Sequence, residues 1–204
     1  MRLTEWLNAE LSPRARLAVL GGGLLLVAAA ALPLWKMTMF AGMFPEGLRL
    51  HIFSWKIVGG NNGADLQGIN ILNHYIGMRE IHAADFVEMK FIPFAFGVFF
   101  LLGARAALFA RVRDLIDLTV LFAYFGVFSF ATFAYRMYTY GHQLAPEAPI
   151  KVPAFTPPIF GHQHIANFDV YSFPGPGTYF VLVYGLLLMV LLALEARRQG
   201  VLKR

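Results

Sequence analysis

Four apolar blocks divide the chain, and everything polar is gathered between them. The blocks run over residues 15–35, 91–110, 115–135 and 177–194. At 1.5 Å per residue, about 20 residues of helix cross a hydrocarbon core about 30 Å thick, so each block predicts a membrane span. Ser12-Pro13 reads as the opening of the first span, and the preceding E-W-L-N-A-E as a brief helix on the membrane surface. The first block exceeds the roughly 7–15 apolar residues of a signal peptide, and L-P-L-W-K is a poor cleavage site, so a retained span is expected. Only the short turn Arg111–Asp114 separates the second and third blocks. The other two connections, residues 36–90 and 136–176, are long, and structureless loops of that length are uncommon.

Within the first long connection, Asp65 to His82 is patterned as a helix. Leu66, Ile69, Leu72 and Ile76 recur at the spacing of one apolar face. Asn70, His74, Met78 and His82 follow four apart on another face. Gly68 and Gly77 weaken such a helix by about 1 kcal/mol each relative to alanine. Two roles fit it: an interfacial helix covering the mouth of the bundle, or one wall of a site. In the second connection, Pro157, Pro158, Pro174 and Pro176 stiffen the chain, and Phe168, Tyr171 and Phe173 are placed to anchor it at headgroup level.

Composition agrees with a membrane protein. Of 204 residues 58% are hydrophobic and only 14% charged, and Phe alone fills 20 positions. No cysteine is present, which removes disulfides, thiolate metal sites and thiol catalysis. The formal charge of +5 is a topology signal rather than a nucleic-acid patch. Arg2, Arg14, Arg16, Arg105, Arg111, Arg113, Arg197, Arg198, Lys203 and Arg204 crowd the termini and the short turn. Lys36, Arg49, Lys56, Arg79, Lys90, Arg136 and Lys151 are spread thinly over the two long connections. The denser side is expected to be cytoplasmic. Both termini then lie inside, and both long connections meet outside, on the periplasmic face of a bacterial inner membrane.

All six histidines fall in the two long connections. Lys36 onward reads K-M-T-M-F-A-G-M, placing Met37, Met39 and Met43 beside the first span. Thioethers select Cu(I), and clustered methionines without cysteine suit copper, although methionines also pack at a bundle rim as adaptable apolar groups. His162 and His164 form an H-x-H pair in G-H-Q-H, and imidazole suits Cu, Zn, Fe or Ni. With His74, Met78 or His82 approaching from the other connection, three or four ligands come within reach; the alternative is surface histidines bonded to loop carbonyls. No histidine lies deep in a span, which argues against a haem held by two intramembrane histidines. No G-x-S-x-G, H-E-x-x-H or P-loop occurs.

The segments I-N-I-L-N-H-Y-I-G-M-R-E-I (Ile69–Ile81) and P-P-I-F-G-H-Q-H-I-A-N-F-D-V-Y-S-F-P-G-P-G (Pro157–Gly177) resemble small polytopic membrane proteins of bacterial respiratory gene clusters. That resemblance implies an accessory to a periplasmic copper enzyme, in the neighbourhood of nitrous oxide reductase, copper-handling proteins and c-type cytochromes. It assigns no catalytic residue.

The expected fold is an all-α membrane protein with four transmembrane helices, both termini cytoplasmic, and two long extracytoplasmic loops forming a cap. The expected function is a non-enzymatic accessory that handles Cu(I), or docks a copper protein or c-type cytochrome, at that cap. The metal candidates are Met37, Met39, Met43, His74, Met78, His82, His162 and His164. A second reading is a quinol-interacting or assembly subunit alongside other respiratory membrane subunits. In it Asn70, His74 and Tyr75 line a quinone headgroup pocket, with His74 or Tyr75 taking the proton. A third is a purely structural bundle subunit.

Overall fold

The computed structural model describes residues 3–201; the expected cytoplasmic cations Arg2, Lys203 and Arg204 lie outside that range. A short helix α1 (Leu3–Asn8) precedes α2 (Pro13–Ala31), which Ser12 caps by accepting a hydrogen bond from the Ala15 amide at 3.2 Å. Helices α4 (Ile92–Phe109), α5 (Val112–His142) and α6 (Pro176–Arg198) follow, with α3 (Ala64–Tyr75) between α2 and α4. α2, α4, α5 and α6 are long and apolar enough to cross a membrane, as the four blocks predict.

The bundle core is built from α2, α4, α5 and α6, with Tyr184, Leu188, Leu26, Val19 and Leu118 at its centre. Consecutive glycines of α2 serve different neighbours. A Cβ on Gly22 would lie 2.4 Å from Leu187, and one on Gly23 2.9 Å from Phe100. Small residues at these points let α6 and α4 close on α2.

The two long connections correct the all-α expectation, because together they build a five-stranded antiparallel sheet. Its strands are β1 (Trp35–Ala41), β2 (Phe44–Ile52), β3 (Ile57–Gly59), β4 (Gly161–Ile165) and β5 (Phe168–Pro174), in the order β3-β2-β1-β5-β4. β1 and β5, one from each connection, pair at the centre, with Thr38 opposite Tyr171 and Phe40 opposite Asp169. The physical reason is period-two alternation. Met37, Met39, Leu48, Leu50, Phe168 and Val170 all point to one side and are buried there with Ile69, Leu72 and Ile76 of α3.

Helix α3 ends earlier than the sequence pattern predicts. Gly77 adopts φ of 76°, and a Cβ there would lie 2.8 Å from Ala148. Met78 and His82 therefore leave the face that carries Asn70 and His74. α5 runs further than expected, to His142. At 31 residues it is about 46 Å long, more than the about 30 Å of a hydrocarbon core, and its last turns pack against the sheet domain. Phe86 stacks on Tyr140, and Arg136 makes paired hydrogen bonds to Glu88 at 2.9 and 3.0 Å, which hold those turns in place.

The sheet is fastened to the bundle where β1 leaves α2 and β5 enters α6. The Gly175 amide donates to the Leu34 carbonyl at 2.8 Å, the Gly177 amide donates to Pro33 at 3.0 Å, and the Thr178 hydroxyl also donates to Leu34. At the opposite end, the Glu195 carboxylate accepts from the Ser12 hydroxyl and from Arg198, and the Glu10 carbonyl accepts from Arg198. N-terminal segment, α4–α5 turn and α6 C-terminus thus share one end, and the sheet occupies the other.

Candidate functional site

The side of the sheet turned away from α3 is open. Register places Lys36, Thr38, Phe40, Arg49, His51, Asp169, Tyr171, Phe173, His162 and His164 on that side. Aromatic groups run across it: Phe40 meets Tyr171 edge-on at 5.8 Å, His162 stacks on Tyr171 at 4.5 Å, and Phe160 meets Phe173 at 5.2 Å. Lys36, Arg49 and His51 lie on the other half. There burial, then Lys36, then Arg49 push the His51 imidazole below its ordinary value of 6.5, against a smaller opposite pull from Asp65.

The chemistry concentrates on the β4–β5 hairpin. His162 and His164 stand two apart on one strand, so both rings leave by the same face. Asp169 is directly opposite His164. His162 Nε2 lies 2.8 Å and His164 Nδ1 3.0 Å from the same oxygen, Asp169 Oδ1. These two bonds, His162 first, hold the Asp169 carboxyl below the usual carboxylate range. An ionised carboxylate only accepts, so both ring nitrogens facing it carry protons. In each neutral imidazole the remaining nitrogen, Nδ1 of His162 and Nε2 of His164, keeps a lone pair for another partner. A carboxylate that fixes the tautomer of a histidine in this way is the usual companion of a metal-ligating imidazole. Among the described residues, no three His, Asp or Glu groups are arranged as a formed metal centre. The hairpin offers two nitrogen donors and an orienting carboxylate.

The other sequence candidates do not gather. Met37 and Met39 are 5% and 6% exposed in the core of the sheet domain, while Met43 is 64% exposed in the β1–β2 turn. Asn70 is occupied as a clamp: its Oδ1 accepts from the Ile81 amide at 2.8 Å and its Nδ2 donates to the Ile81 carbonyl at 3.4 Å. His74 and Tyr75 are exposed on the last turn of α3, Met78 packs at the edge of the sheet-domain core, and His82 pairs with Glu80 at 3.1 Å. Asp169 is the residue sequence reasoning missed, and Tyr171, expected as a headgroup anchor, instead stacks on His162. The alternation F-D-V-Y-S-F carries the signal that places them beside G-H-Q-H.

Neither the comparison with protein-family models nor that with curated proteins finds a match to this chain. Fold and site together define a protein of four helices long and apolar enough to cross a membrane, with a five-stranded sheet at one end.

Proposed function

We propose that the protein is a non-enzymatic membrane accessory of a respiratory or copper-enzyme system, passing a copper ion to or from a partner docked on the open face of its sheet. By the density of Lys and Arg, the sheet domain stands on the periplasmic side of a bacterial inner membrane, with both termini in the cytoplasm. The observation that carries the reading is the shared Asp169 oxygen, which leaves His162 and His164 each with one free nitrogen on an exposed surface. Two nitrogen donors suit copper and leave coordination positions open for a partner's ligands, as a transfer site requires. The surrounding Phe40, Tyr171 and Phe173 are the residue types that anchor protein interfaces. The reading rests on these histidines; the three methionines, split between core and turn, take no part in it.

The test is a Cu(II) titration of the purified full chain with any affinity tag removed, read by electron paramagnetic resonance. About one ion per chain with nitrogen hyperfine structure is expected, lost in His162→Ala and in His164→Ala and retained in Met43→Leu. Asp169→Asn is expected to weaken binding about 10–100-fold. Copper uptake that is unchanged in the two histidine variants contradicts the proposal.

A further inference from the structure

The turn between β2 and β3 stands where α2 ends. The Phe53 amide donates to the Lys56 carbonyl at 2.8 Å and closes the turn. Ser54 is wholly buried, and its hydroxyl donates to the Ala30 carbonyl, in the last turn of α2, at 3.3 Å. Just before the turn, the Ile52 carbonyl accepts from the Leu34 amide at 2.7 Å. These bonds tie the turn to the end of a helix whose 19 residues measure about 28 Å, close to the about 30 Å of a hydrocarbon core. With α2 across a membrane, residues 53–56 lie at headgroup level.

What the turn presents suits that level. Trp55 is 55% exposed, although Ser54 and Ile57 beside it are buried. An indole has a large apolar ring and one N–H donor, and is best placed at a boundary between oil and water. The Lys56 ammonium lies 4.3 Å from the centre of the Trp55 ring and 5.2 Å from that of Phe53, so a cation is held over the aromatic pair. Lys36, opposite His51 in the neighbouring strand, is exposed, as is Arg49 two residues back along β2. Among the described residues, none of these three cations is in an ion pair. The nearby Asp65 has both carboxylate oxygens occupied, by the Arg49 amide and by Asn61.

An aromatic anchor beside uncompensated cations, fixed at the end of a helix apolar enough to span, matches the phosphate layer of a bilayer. Head groups of net negative charge match it better than phosphocholine, whose own cation opposes the lysines. We infer that the β2–β3 turn seats the sheet on the bilayer surface, with Trp55 among the lipid head groups and Lys36 and Lys56 on the phosphates of anionic lipids. The inference rests on α2 crossing a membrane. It divides the open side of the sheet. The end near Lys36 belongs to the bilayer, and the end carrying His164 and Asp169, three to five residues further along the strands, stands clear of it.

The test is tryptophan fluorescence of the full chain in phosphatidylcholine vesicles whose acyl chains carry a spin label, either near the glycerol end or near the chain middle. The Trp55 contribution is the difference between the unaltered chain and Trp55→Phe. The shallow label is expected to quench that contribution about twofold more than the deep one. Moving the shallow label onto a minority of phosphatidylglycerol is expected to raise the quenching about twofold again. That rise is expected to vanish in a variant carrying both Lys36→Gln and Lys56→Gln, and in high salt. Should Trp55→Phe fail to fold, the lysine variant decides on total fluorescence. A Trp55 contribution quenched by aqueous iodide but by neither lipid label overturns the placement, and so does stronger quenching by the deep label. Equal response of the unaltered chain to the two head groups overturns the role of the lysines, as does a preference undiminished in the double variant.

Discussion

His51 stands opposite Lys36 on the open side of the sheet, two residues from Arg49. Burial and those two cations lower its folded pKa below 6.5, so the unfolded chain takes up this proton first as pH falls. The stability His51 confers is complete above pH 6.5. It is lost as pH falls through 6.5 towards the lower folded value. The sheet domain is therefore expected to melt at lower temperature at pH 5 than at pH 7.5, and His51→Gln to flatten that dependence; an equal slope in the variant contradicts the assignment. A second residue, Asp65, is buried with both oxygens used: Oδ2 accepts from the Arg49 amide at 2.9 Å and Oδ1 from Asn61 at 2.8 Å. Asp65→Ala strands the part-buried Arg49 amide and is expected to cost about 1–2 kcal/mol in denaturant unfolding of the sheet domain. At this scale the sequence was partly legible. The H-x-H pair was visible as such, but its carboxylate was not, because Asp169 reaches it only through the hairpin register. The methionine cluster is divided because residues two apart on a strand share a face, and for Met37 and Met39 that face is the core, while Met43 is exposed.

Among the elements, the four spanning helices were legible because continuous apolar runs of this length have few other outcomes. The strands were legible in principle. Leu48, Leu50 and Ile52 alternate with Arg49 and His51, and Phe168, Val170 and Ser172 with Asp169 and Tyr171. They were obscured by strands of only 3–9 residues and by partners more than 120 positions apart in sequence, as Thr38 and Tyr171 are. The end of α3 was signalled by Gly77, read as a weakening of the helix when it is a stop. The glycines of α2 supply a test of the bundle. Gly22 meets Leu187 and Tyr184, whereas nothing lies within 4 Å of a Cβ on Gly21. Gly22→Val is expected to overpack the α2–α6 contact by about 1–3 kcal/mol and to lower the thermal transition in detergent. Gly21→Val is expected to leave that transition unchanged; equal effects of the two contradict the packing described.

As a whole molecule, the chain has two ends of different character. One end gathers both terminal segments and the α4–α5 turn through Glu10, Ser12, Glu195 and Arg198. The other carries a sheet drawn from both long connections and fixed to α2 and α6 at Pro33, Leu34 and Gly175. A Cβ on Gly175 would lie 2.2 Å from the Pro33 carbonyl oxygen, so this junction holds the sheet at a set position on the bundle. The proposed role requires that sheet to face the side where a partner protein can reach it. Because the chain has no cysteine, single cysteines report sidedness without background. The decisive measurement is labelling of Met43→Cys, Tyr171→Cys and Arg113→Cys variants in intact cells with a membrane-impermeant maleimide. Labelling of positions 43 and 171 from outside, with 113 protected until the membrane is opened, is the predicted result. Labelling of 43 and 171 from different sides, or of 113 together with them, contradicts the account.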